Sequence, residues 1–125
     1  MSDQSRLFEA GPDLFGHMWK VQFRWLQTGI SIRHADTVDV KFFITPDNGS
    51  TEERVIALPH PPLLAASRET GRPLTDPLCR RIAAAHLKHM IETSEDMDKT
   101  LVTLTPEEIH MYARQMEPVT VAPNA

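Results

Sequence analysis

The sequence predicts an α+β fold: a four-stranded antiparallel β-meander over about residues 17–58, followed by helices packed on one of its faces. Three observations carry this reading. They are an apolar alternation between residues 19 and 44, a long helical period opened by Asp76-Pro77, and a capping signature at residues 105–108. The order of elements, strands first and helices after, makes the class α+β rather than α/β.

The alternation runs through Trp19, Val21, Phe23, Trp25, Ile30, Ile32, Val38, Val40, Phe42 and Ile44. Side chains two apart in a strand share a face, so this set predicts one buried side of a sheet. Turn residues divide the region into strands at about 17–26, 30–34, 38–45 and 52–58. The breaks fall at Gln27-Thr28-Gly29, Ala35-Asp36-Thr37 and Pro46-Asp47-Asn48-Gly49. Opposing Trp25 to Ile30, Ile32 to Val40, and Val40 to Val55 keeps every member inward, which is the register expected for the meander.

Helices are predicted at about 62–70, 76–97 and 106–116. Pro61-Pro62 opens the first and Gly71 closes it. Asp76 caps the second, Pro77 takes its first position, and Cys79, Ile82, Ala83, Leu87, Met90 and Met97 form its apolar arc. In the third, Thr105-Pro106-Glu107-Glu108 is a capping box, with Ile109, Tyr112, Ala113 and Met116 repeating on one side. Residues 101–104 between these helices read as a short extended segment. Residues 1–125 are expected to be a single domain, with a less ordered N-terminal arm (1–16) that docks by Phe8, Leu14 and Phe15, and a frayed C-terminal tail (118–125).

Composition narrows the function classes. A net charge of -4 argues against a general affinity for nucleic acid, and no apolar run reaches the length of a membrane span. With one cysteine and no leader-like start, a cytoplasmic location is expected. No glycine-rich phosphate loop, serine elbow, paired-carboxylate motif or zinc-type cysteine spacing occurs, so no cofactor and no metal are implied.

The remaining candidates come from the faces. The expected register places Arg24, Ser31, Lys41 and Arg54 in one outer row about 14 Å long, at about 4.8 Å per strand, with Arg24, Lys41 and Arg54 as its cations. Lys41 and Arg54 are then directly opposed, a like-charge pairing that suits an anionic partner; Glu52 and Glu53 could instead neutralise it. The same register turns Phe43, Ile56 and Leu58 outward as an apolar patch, to be covered by the N-terminal arm or a protein partner, with a homo-oligomer expected.

Cys79, near the start of the second helix beside Arg80 and Arg81, is the nucleophile candidate. His86, about 10 Å along the same helix, is too far to be its base, so a base would come from another element, such as His34 or His60, and Cys79, His34 and His86 stand as the catalytic candidates. The place of Cys79 on the apolar arc favours a buried packing role. His86, His89 and Glu92 diverge around their helix and do not converge as metal ligands. The reading that results is a small non-catalytic binding or protein-interaction domain. The alternatives are a small enzyme or ligand binder with a pocket between sheet and helices, or an anion or nucleic-acid contact through the outer sheet face.

Overall fold

The computed structural model describes residues 7–29 and 36–116. Five strands form one sheet: β1 (Leu7–Ala10), β2 (Trp19–Gly29), β3 (Thr37–Pro46), β4 (Glu52–Pro59) and β5 (Leu101–Thr103). They lie side by side in chain order, β1 to β4 antiparallel and β5 parallel to β4. Three helices, α1 (His60–Thr70), α2 (Asp76–Thr93) and α3 (Pro106–Gln115), complete the α+β fold. No helix of the described residues is long and apolar enough to cross a membrane.

The meander is present, but its strands are assigned differently. The segment read as a strand at 30–34, with Ile30 and Ile32, lies outside the described residues. Instead β2 runs on to Gly29 and pairs directly with β3, placing Leu26 opposite Val40. The fourth antiparallel strand is β1, built from the segment read as an arm: Phe8 pairs with Val21 and Ala10 with Trp19. The tail at 118–125 is outside the described residues.

Two register changes decide which side chains face inward. Between Phe23 and Trp25 the β2–β3 pairing slips by one residue, a β-bulge at Arg24. A bulge inverts the alternation beyond it, so Leu26 takes the inward phase and Trp25 faces outward. The β3–β4 register also differs by one from the expected alignment, with Val40 opposite Ile56 rather than Val55. Ile56 and Leu58 consequently lie in the core, fully buried, and not on an outer patch.

The helices follow their end signals closely. Thr75, not Asp76, caps α2: its hydroxyl accepts from Leu78 N at 3.3 Å, leaving Asp76 and Pro77 inside the first turn. The helix stops at Thr93, short of the expected Met97, because Ser94 adopts a left-handed conformation at φ 60°. Gly71 closes α1 in the same way, at φ 71°, where a glycine carries no Cβ penalty. The capping box of α3 is complete: Thr105 Oγ1 accepts from Glu108 N at 3.1 Å, and Glu108 Oε1 accepts from Thr105 N at 2.9 Å.

The helices lie on the inner side of the sheet, α1 and α2 against the strands and α3 against α1 and α2. At 18 residues α2 is about 27 Å long, enough to cross the sheet. Its Ile82, Ala83, Leu87, Met90 and Ile91 lie against Val21, Val38, Val40, Phe42, Ile44, Ile56 and Leu58. Each fully buried large side chain in that set contributes roughly 1.5–3 kcal/mol of hydrophobic stabilisation.

The loop between β1 and β2 is organised by Asp13. Its Oδ1 accepts from Phe15 N (2.8 Å) and His17 N (2.9 Å), and its Oδ2 accepts from Trp19 Nε1 (2.9 Å). The Trp19 bond, reinforced by the backbone donors, holds the Asp13 carboxyl below the usual carboxylate range. Gly11 opens the loop at φ +125°, and a Cβ there would lie 2.9 Å from His17 O.

Candidate functional site

The bulge in β2 creates a surface that uniform alternation would have buried. On the outer face, away from the helices, β3 presents Asp39, Lys41 and Phe43 between the inward residues Val38, Val40, Phe42 and Ile44. Trp25 stands opposite Lys41, Val55 continues the row on β4, and Leu101 ends it on β5. Trp25 remains 37% exposed and Leu101 58% exposed; at the other edge of the sheet Leu7 is 57% exposed. The buried side chains of the described helices pack against the other side of the sheet, and only Asp76 and Arg80 at the start of α2 reach the Trp25 end of β2.

Lys41 sits at the centre of the surface. Its Nζ lies 2.9 Å from Glu53 Oε1, 5.5 Å from the Trp25 ring centroid and 5.7 Å from that of Phe43. Arg24 covers the same Phe43 ring, its Cζ 4.8 Å from the centroid. Cations at such distances are attracted by the negative faces of aromatic rings. They also orient the rings and leave an aromatic, partly charged surface of the kind enriched at protein interfaces.

Of the expected anion row, Arg24 and Lys41 are on this face, Arg54 is not, and Ser31 lies outside the described residues. Lys41 faces Val55, and Arg54 lies opposite Phe42 on the inner side, where it is 6% exposed. Arg54 Nη1 donates to Glu53 O at 2.7 Å; Nη2 donates to Glu52 Oε1 at 2.7 Å and to Met97 O. Its Nε is buried with no partner among the described residues. The like-charge opposition that suggested an anionic partner is therefore absent, and both Lys41 and Arg54 carry carboxylate neighbours. Among the expected interface residues, only Phe43 keeps an outer position.

The described catalytic candidates, Cys79 and His86, lie seven residues apart on α2, about 10 Å along its axis. Cys79 is buried, and desolvation, helped by the nearby Asp76 carboxylate, pushes its thiol up to about 11. Burial thus outweighs the helix-terminal location that would favour a thiolate. His86 is also buried, its Nδ1 2.9 Å from Tyr112 Oη, and desolvation lowers its pKa despite the opposing pull of Glu108. His34 lies outside the described residues. His89 Nε2 lies 2.9 Å from Glu95 Oε1, while Glu92 pairs with Lys88 at 2.7 Å.

Trp25 was missed as a surface residue because simple alternation places it inside. The one signal in the sequence is Leu26, an apolar residue out of phase with Trp19, Val21 and Phe23, which a bulge returns to the core. Comparison of the chain with protein-family models, with curated proteins and with solved structures finds no match.

Proposed function

We propose that this chain is a protein-interaction domain that self-associates through the outer face of its sheet. The observation that carries the reading is the position of Trp25, held outward by the bulge and framed by Lys41, Phe43, Val55 and Leu101 on the face of the sheet opposite the core. A two-layer domain normally leaves the second side of an antiparallel sheet polar. Here that side keeps large apolar groups at water-exposed positions, a pattern that marks contact surfaces.

Charge supports a second copy as the partner. The cations Lys20, Arg24 and Lys41 share the face with the carboxylates of Glu9, Asp39 and Glu53, although the chain as a whole carries -4. Mixed signs on one face permit self-complementary pairing about a two-fold axis, whereas two copies meeting through an acidic face would repel.

Light scattering coupled to size-exclusion chromatography tests the proposal at concentrations from about 1 to 200 µM. The native chain is expected to form a dimer. Trp25→Glu, a change at an exposed position, is expected to give a monomer with an unaltered circular dichroism spectrum. A native chain that stays monomeric throughout that range, or a Trp25→Glu variant that remains dimeric, overturns it.

A further inference from the structure

On the opposite side of the molecule, β1, α2 and α3 line an open surface groove of about 450 Å³. We propose that it binds an amphiphilic monoanion, a carboxylate carrying a medium-length hydrocarbon tail. The cleft is separate from the outer sheet face, and the proposal does not depend on self-association.

The local sequence explains why the cleft exists. Ala84 and Ala85 place only methyl groups on the outer flank of α2, so the helix surface recedes between Phe8 of β1 and Tyr112 of α3. The resulting floor is apolar, and its volume falls within the roughly 300–1,000 Å³ of small-molecule sites. Tyr112 is fixed at the back by the hydrogen bond between its hydroxyl and His86 Nδ1, so this wall is preorganised.

The polar groups at the rim have one sign. Arg81 and Lys88 line the cleft, and among the described residues no carboxylate side chain does. Lys88 is paired with Glu92 at 2.7 Å, whereas Arg81 is exposed and has no ion-pair or hydrogen-bond partner among the described residues. Those two positions are seven residues apart, about 10 Å along the helix axis, with Ala84 and Ala85 between them. A planar guanidinium with its donors unoccupied matches a carboxylate in a two-point fork, and a hydrocarbon tail directed along the alanines would cover the apolar floor. A cationic amphiphile would fit the floor equally well but meet Arg81 with the wrong charge. The head group therefore supplies the discrimination.

The test is a titration of the isotope-labelled full chain with octanoate, followed by amide chemical shifts, with octyltrimethylammonium as the cation of similar tail. Octanoate is expected to shift resonances of residues 81–88 and 112–116 and to bind at least tenfold tighter than the cation. Shortening the tail to butanoate should weaken binding by about two- to fourfold per methylene removed. Arg81→Gln, a change at an exposed position, should weaken octanoate by at least fivefold with an unchanged circular dichroism spectrum. No shifts at millimolar octanoate, equal affinity for the cation, or unchanged affinity in Arg81→Gln overturns the proposal. So does a cleft already filled in the unliganded protein, seen as nuclear Overhauser contacts from elsewhere in the chain to the Ala84 and Ala85 methyls.

Discussion

Phe42 and Arg54 stand directly opposite each other across β3 and β4, both on the buried side of the sheet. An aromatic ring and a guanidinium thus share one layer of the core, and the guanidinium is held by acceptors from two directions. Glu52 and the Glu53 carbonyl come from its own strand, and the Met97 carbonyl comes from the segment after α2. Arg54 therefore ties the region beyond α2 to the sheet. Arg54→Leu would leave both carbonyls without that donor, while Glu52, half exposed, could regain water. A loss of about 1–3 kcal/mol in urea denaturation is expected. Unchanged stability would mean that the arginine contributes no net tie.

The same residue shows where sequence reading fails on this chain. In β3 the apolar residues alternate except at Phe43, and Val38, Val40, Phe42 and Ile44 all lie inward as their spacing predicts. In β4 the apolar residues Val55, Ile56, Ala57 and Leu58 are consecutive, so either phase buries two of them and period alone cannot choose. The choice that buries Arg54 is stabilised by an acceptor 43 residues away, information that no local pattern contains. Position 24 presents a similar difficulty: the bulge has no glycine to announce it, yet it exchanges Leu26 for Trp25 and thereby makes the candidate surface. Phe43 and Lys41 were legible on that surface because they lie on the strand whose inward residues keep unbroken alternation. The start of α3 and the glycine stop of α1 were legible because capping is local chemistry, as the reciprocal Thr105–Glu108 bonds demonstrate, whereas the left-handed Ser94 that ends α2 before the expected Met97 carries no such signal.

Cys79 should behave as an inert thiol in the folded protein. It is 3% exposed and its thiol is pushed up to about 11 by burial, so the thiolate population at neutral pH is negligible. A disulfide reagent such as dithionitrobenzoate should leave the native chain unmodified for hours and titrate one thiol promptly in guanidinium. Rapid reaction in native buffer would place a reactive cysteine at the start of α2 and revive a nucleophilic role for it.

The last expectation concerns acid, through the His86–Tyr112 contact that joins α2 to α3. Burial lowers the His86 pKa in the folded chain, with Glu108 opposing, so the folded state keeps the imidazole neutral where an unfolded chain would already bind a proton. Greater proton uptake by the unfolded state makes stability fall as pH falls. The contribution is complete above the unfolded value of about 6.5 and is lost as pH drops from there through the folded pKa. Urea midpoints measured from pH 8 to pH 5 should therefore decline. The decline should be shallower in the paired variant His86→Phe, Tyr112→Phe, which removes the titrating ring without stranding the tyrosine hydroxyl. A ring-proton titration supplies the site-specific check: the His86 midpoint must lie below that of free imidazole side chains. A midpoint at or above it would mean that the ring is hydrated or charge-paired in the folded protein, and the acid sensitivity would have to originate elsewhere.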